Sequence, residues 1–248
     1  MKPLADRLSL ILVPQSAEAR SVRQGLRAFS NAPPLLAIPA GPEPAQRFLQ
    51  QRLADASLFS QSHPSSPTVL LLGLCGSLAP NLRVGDAILY DACLSASVDG
   101  QHSEKPEACD PGLTQTLAQG LGDCVQLGTG LTCDRVLCTA QEKQQWGQRT
   151  GALVVDMEGW PLLQLLNHAG IATAILRVVS DDCDRDLPDI SQAIDAAGNL
   201  RPLALTRAMV SQPRAATRLI RGSLTGLKRL QQLAALFCTA PNSVQDVG

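Results

Sequence analysis

Five runs of apolar residues punctuate the chain, at Leu8 to Val13, Leu35 to Ile38, Val69 to Leu74, Ala152 to Val155 and Ile171 to Val179. Several lack the polar alternation of a half-solvated strand, which predicts strands covered on both faces. Between them, Glu18 to Phe29, Glu43 to Leu58, Gln141 to Arg149 and Trp160 to His168 space their apolar residues as helices do. The alternation predicts an α/β fold, a single domain over residues 1–240 with a mostly parallel, mixed central sheet flanked by helices in three layers. Residues 241–248 read as a flexible tail.

The stretch from Ser60 to Thr68 reads as a surface loop by its Ser and Pro content, and Asp195 to Pro202 reads as a turn. From Arg201 onward, where helices are expected over 202–238, the chain carries Arg201, Arg207, Arg214, Arg218, Arg221, Lys228 and Arg229 against one acid, Asp246. At about 100° per residue, Ile220, Leu224, Leu227, Leu230 and Leu233 fall on one side, with Arg214, Arg218, Arg221, Lys228 and Arg229 opposite. A packed helix with a solvated basic face is the first reading. Docking to an anionic membrane surface is the second, although Gly222 and Gly226 weaken an isolated helix.

Composition narrows the classes. At 248 residues and 45% hydrophobic content the chain can bury a large core. A formal net charge of -1 gives no global field for nucleic acid, so no nucleic-acid partner is expected. The eight cysteines contain no C-x-x-C pair and only three histidines accompany them, so no metal site is expected and the thiols read as reduced, in a cytoplasmic protein. No apolar run approaches the roughly 20 residues that span a bilayer. His63, His102 and His168 lack a nameable partner, Trp146 and Trp160 read as packing residues, and Asp182, Asp184 and Asp186 lack the glycine and distal glutamate of a calcium loop.

The chemistry gathers at strand ends. The segment "VVDMEGW" (Val154 to Trp160) places Asp156 and Glu158 directly after an apolar run, and "SDD" (Ser180 to Asp182) follows the next one. Read as strand, helix and parallel strand, Ala152 to Val179 forms a βαβ unit that delivers Glu158 and Asp181 to one crevice, where ligands of open α/β sheets sit. "GLCGSL" (Gly73 to Leu78) and "VPQSAEAR" (Val13 to Arg20), which carries Glu18, reach the same edge. Three carboxylates beside a glycine-containing turn suit glycosidic cleavage, which needs an acid for the leaving group, a group to activate the nucleophile and contacts to sugar hydroxyls. Taken singly, each acid could equally cap a helix or sit in a solvated loop, and Arg177 within its apolar strand reads as an ion-paired structural residue.

At these positions the chain resembles the nucleoside phosphorylase and nucleosidase superfamily. "GLCGSLAPNLRVGDAIL" (Gly73 to Leu89) is similar to its G-x-A-G-G-L…L-x-x-G-D segment, "VVDMEGW" to V-E-M-E-[GS], and "ILRVVSDDCD" (Ile175 to Asp184) to a hydrophobic-R-x-[IV]-S-D stretch. The resemblance implies cleavage of a purine nucleoside, a small-molecule substrate, with Asp181 as the acid that protonates the leaving purine and Glu18 as the group that activates water. It implies a substrate-binding set of Glu158 on the ribose hydroxyls, Met157 against the ribose, Cys75 and Gly76 along ribose and base, Asp156 shaping the loop, and Ser180. Val136 and Leu137 belong to "TCDRVL" (Thr132 to Leu137), the loop expected over the base. Val136 stands where nucleosidases usually offer a phenylalanine, so base stacking is lost there.

Leu71 and Leu74 occupy positions where bacterial purine phosphorylases carry a phosphate-binding Arg and Ser, which favours hydrolysis. The second half, from "CDRVLCTAQEKQQW" to "NLRPLALTRAMVSQP", instead resembles a hopanoid-associated branch of phosphorylases that remove adenine from adenosylhopane. That likeness implies phosphate as co-substrate, no further cofactor, and a use for the basic helix at the inner membrane face. Relatives assemble as dimers, trimers or hexamers, so a homo-oligomer is expected. A non-catalytic nucleoside-binding or storage protein of the same fold is the alternative.

Overall fold

The computed structural model describes residues 3–55, 58–59, 67–97, 105–190 and 201–239. The turn expected at 195–202 falls almost wholly outside these residues, as do most of the loop at 60–68 and the tail. In chain order the elements are β1 (Leu10–Pro14), α1 (Ala17–Leu26), β2 (Leu35–Ile38), α2 (Pro42–Ala54), β3 (Thr68–Ser77), β4 (Ala87–Ala96), β5 (Glu107–Ala108), α3 (Pro111–Leu121), β6 (Gln126–Cys133), α4 (Ala140–Thr150), β7 (Val154–Asp156), α5 (Gly159–His168), β8 (Ala172–Asp181), α6 (Pro202–Ser211) and α7 (Pro213–Thr239).

One mixed sheet organises the chain, with helices on both faces, as its apolar runs predict. Strands β1, β3 and β8 are buried on both sides: Ile11, Val13, Leu70, Leu72, Leu176 and Val178 face α1, α3 and α7, whereas Leu10, Leu12, Leu71, Ile175 and Val179 face α2 and α5. Strands β4, β5 and β6 escape the reading of apolar runs. Asp91 interrupts β4, and Gly128 and Gly130 depress strand propensity in β6, yet a side chain at either glycine would collide with Leu153 or with the Tyr90 ring.

The sheet closes on itself. β8 pairs β3 in parallel and β4 antiparallel, β4 and β7 each pair β6 in parallel, and β7 returns antiparallel to β3. This corrects the βαβ reading. α5 does join β7 to β8, but the two strands lie on either side of β3 and run in opposite senses, with Val155 and Asp181 both opposite Gly76. Here β3 serves two partners along its length, β1 at Val69 to Leu71 and β7 at Gly76 and Ser77.

Local chemistry sets the helix ends. Thr139 accepts from the Glu142 N–H at 3.2 Å to begin α4, and Gly151, at φ 70°, ends it. Helix α7 departs from its expected face. Leu230 and Leu233 are buried, but Ile220 and Leu224 are 50% and 62% exposed, and Ala215, Gly222 and Gly226 fill the inward stripe instead. The cause is close approach to β8: a methyl on Gly222 would collide with the Ser180 carbonyl, and one on Gly226 would come 2.7 Å from Leu74. The glycines that weaken α7 as an isolated helix let it pack here.

Candidate active site

The site is built around a buried cation. Arg177, in the middle of β8, is 1% exposed; its Nε donates to Asp156 Oδ2 at 2.9 Å and its Nη2 lies 3.5 Å from Glu158 Oε2. Gly73 on the neighbouring strand makes room, since a methyl there would collide with the guanidinium and lie 3.0 Å from Glu18 Oε1. Three carboxylates thus surround one guanidinium. Such a cluster survives burial because its charges compensate and its hydrogen bonds are made.

Asp156 spends its hydrogen bonds on protein groups. Thr132 Oγ1 donates to Oδ1 at 2.6 Å, the Gly159 N–H donates to the same oxygen at 3.0 Å, and the Tyr90 hydroxyl reaches Oδ2 at 3.4 Å. It therefore holds β4, β6, β8 and the start of α5 together. Glu158 occupies the N-cap position of α5 without capping it. Its Oε1 accepts from the Gly41 N–H at 2.9 Å, at a backbone turn whose φ of 89° suits glycine. Burial raises its pKa, with Arg177 opposing.

Glu18 enters from the first turn of α1, and its Oε1 accepts from the Leu74 N–H at 2.6 Å. Desolvation, reinforced by the charge of Glu158, pushes its pKa up to about 7. Ser16, two residues before it, has φ 80° and is the non-glycine residue at positive φ among those described. Such strain clusters at functional loops.

Asp181 stands across the glycine turn. The β3–β8 register runs Cys75 to Val179 and then Gly76 to Asp181, so Ser180 is bulged out and Asp181 is re-aimed. Its Oδ2 would lie 2.9 Å from a methyl on Gly76, which explains the glycine. Ser180 Oγ sits 2.9 Å from Asp181 Oδ1 and 3.1 Å from the Cys75 carbonyl. Cys75 bridges the two halves of the site: its buried thiol feels Arg177, Asp156, Asp181 and Glu18, and burial raises its pKa well above the ordinary thiol value.

The remaining predicted residues divide. Met157 is half-buried between the two acids in sequence, Val136 is half-buried on the loop between β6 and α4, and Leu137 turns into a core cluster with Leu78, Trp146 and Val155. Arg135, paired with Glu142, ties that loop to α4. Lys143 and Tyr90 escape sequence reasoning, and Thr132, expected in the loop over the base, instead gives its hydroxyl to Asp156. Lys143 is 1% exposed; its Nζ pairs with Asp181 Oδ2 and donates to the Asp182 carbonyl at 3.0 Å. Its spacing of three from Trp146 on an amphipathic helix was the available signal that it faces inward. Asp186 also ties into α4, since its Oδ1 accepts from the Ala140 N–H at 2.8 Å at the start of that helix. All eight cysteines are free thiols, and among the described residues no group of His, Cys, Asp and Glu gathers that could hold a metal ion.

A fold of this kind, with a carboxylate cluster at the glycine turn, belongs to a known class of proteins. Residues 24–211 match the phosphorylase superfamily, and the chain belongs to it. Futalosine hydrolase of Thermus thermophilus is 30% identical over 128 residues, 45% of this chain and 56% of that protein. S-methyl-5′-thioadenosine phosphorylase of Danio rerio is 26% identical over 149 residues, 52% and 53% respectively. The chain thus spans about half the length of the curated relatives it matches. Among solved structures, the 5′-methylthioadenosine/S-adenosyl homocysteine nucleosidase of Helicobacter pylori superposes with a TM-score of 0.64 over 93% of this chain and 95% of that one, at 14% identity. Futalosine hydrolase of the same organism gives 0.62 over 90% and 95%, also at 14%. These likenesses establish the shared fold.

Proposed function

We infer that the protein is an enzyme that hydrolyses the N-glycosidic bond of a purine nucleoside. The observation that carries this reading is Glu18: a carboxyl whose pKa stands near 7, on the same buried guanidinium cluster as Glu158, can accept a proton from water near neutral pH. In this scheme Glu18 deprotonates the water that attacks the anomeric carbon. Glu158, with lone pairs left beyond Gly41 and Arg177, accepts from ribose hydroxyls, and Asp181 delivers a proton to the departing purine. Met157, Cys75, Gly76 and Val136 line the substrate, and Asp156 holds the loop. The named activities of the two curated relatives, one a hydrolase and one a phosphorylase, support N-ribosyl cleavage and leave the nucleophile open. Water is favoured because Leu71 is buried, and Arg177 and Lys143 are both committed to carboxylates.

The test is incubation with adenosine, methylthioadenosine, adenosylhomocysteine and futalosine, with and without phosphate, followed by chromatography of the free base. Release of base without phosphate is expected; strict phosphate dependence would overturn hydrolysis.

A second reading is phosphorolysis of a nucleoside with a bulky lipid at its 5′ position, such as adenosylhopane, at an anionic membrane surface. It draws on exposed Leu203, Val210, Ile220 and Leu224 standing among exposed Arg207, Arg214 and Arg221 on α6 and α7. No helix of the described residues is long and apolar enough to cross a membrane. Sedimentation with phosphatidylserine vesicles at low salt tests the contact, and protein left wholly in the supernatant removes it. A homo-oligomer remains the expectation from the family, to be read by light scattering.

A further inference from the structure

The least expected group near the site is a lysine with almost no solvent. Lys143 projects from α4, which no sequence motif connects to Asp181, and its Nζ spans Asp181 Oδ2 and the Asp182 carbonyl. The segment after Asp181 is docked on the same helix: Gln144 Nε2 donates to the Cys183 carbonyl at 3.4 Å, and Asp186 accepts from the Ala140 N–H at 2.8 Å. The ammonium is therefore held against the carboxylate by fixed backbone on both sides. In such an ion pair the transferable proton resides on nitrogen, so a carboxylate asked to protonate a leaving group needs a source, and Lys143 Nζ is in contact with it.

We propose that Lys143 and Asp181 form a proton relay, in which Lys143 supplies the proton that Asp181 passes to the departing base. As the C1′–N bond breaks, its electron pair passes to the purine, while one proton moves from Lys143 Nζ to the Asp181 carboxylate and on from there to a ring nitrogen. Asp181 is left ionised as it began, and Lys143 is left as a neutral amine. After the base leaves, solvent returns a proton through Asp181, whose side chain is 13% exposed. Lys143 touches neither substrate nor base in this scheme and is a positioning and proton-storing residue. The inference rests on the nucleoside-cleaving reading above.

The experiment compares wild type, Lys143→Met and Lys143→Arg on a purine nucleoside and on p-nitrophenyl riboside, whose leaving group departs without protonation. Far-UV circular dichroism and melting curves check the fold. Both variants are expected to lose about a hundredfold or more in kcat on the purine nucleoside, with KM changed less than about threefold, a loss of the size general acids contribute. On the nitrophenyl substrate they stay within about threefold of wild type. Arginine keeps the charge but does not release its proton, so it cannot restore the relay. Restoration of purine cleavage by Lys143→Arg would overturn the relay, as would an equal loss on both substrates. Wild type that cleaves neither substrate would instead remove the nucleoside-cleaving reading.

Discussion

Replacing Glu18 by glutamine should make the protein more stable and inactive, with a stability gain that is absent in acid and grows as pH rises from about 4.5 to about 7. Glutamine keeps an oxygen for the Leu74 N–H, so the change removes a charge and little else. Burial and the neighbouring Glu158 raise the Glu18 pKa from 4.5 to about 7. At about 1.4 kcal/mol per pKa unit, that rise corresponds to about 3 kcal/mol. The sign follows from proton linkage. The folded carboxyl binds its proton more tightly than the unfolded one, so its contribution is fully present below about pH 4.5 and is lost as pH rises through about 7. At pH 8 the wild type holds a destabilising carboxylate among Glu158, Asp156 and Arg177, and Glu18→Gln does not. For a chain of this size, at about 2–4 °C per kcal/mol, Glu18→Gln should melt about 6–12 °C above wild type at pH 8. The gap should shrink towards zero near pH 5. Melting curves at both pH values decide it: a variant less stable than wild type at pH 8, or a gap independent of pH, would refute the electrostatic reasoning. Wild-type kcat/KM should fall as pH drops below about 7, because protonated Glu18 cannot accept from water.

Further expectations concern the rest of the site. Arg177→Met leaves Asp156 and Glu158 buried without their cation and should cost about 3–5 kcal/mol, read as a lower urea midpoint; an unchanged midpoint would show that the carboxylates are solvated. Asp181→Asn should lower purine cleavage by at least about a hundredfold, and a fully active variant would remove the acid assignment. Gly222→Ala forces α7 away from the Ser180 carbonyl and should cost about 1–3 kcal/mol; a melting point equal to wild type would mean that the α7–β8 contact is looser than the structure shows.

The extent to which the site was legible follows from how local each signal is. Glu18, Glu158 and Asp181 each lie within a few residues of a strand end, and strand ends can be read from apolar runs, so their gathering near the glycine turn was foreseeable. Arg177 could be assigned an ion-paired role because a charge inside a fully apolar run must be paired. Lys143 and Tyr90 were not legible, since their partners lie 38 and 66 positions away and nothing near them names an acid.

The chain's own periodicity therefore determined the α/β class and the doubly buried strands, because burial on two faces leaves a mark on every consecutive residue. Tertiary structure alone decided that β7 turns back antiparallel on β3, that a bulge at Ser180 aims Asp181 across Gly76, and that glycines rather than leucines form the inner stripe of α7 beside β8. Each depends on which distant backbone lies alongside. That choice is made by long-range pairing and close packing, to which local hydrophobicity is blind.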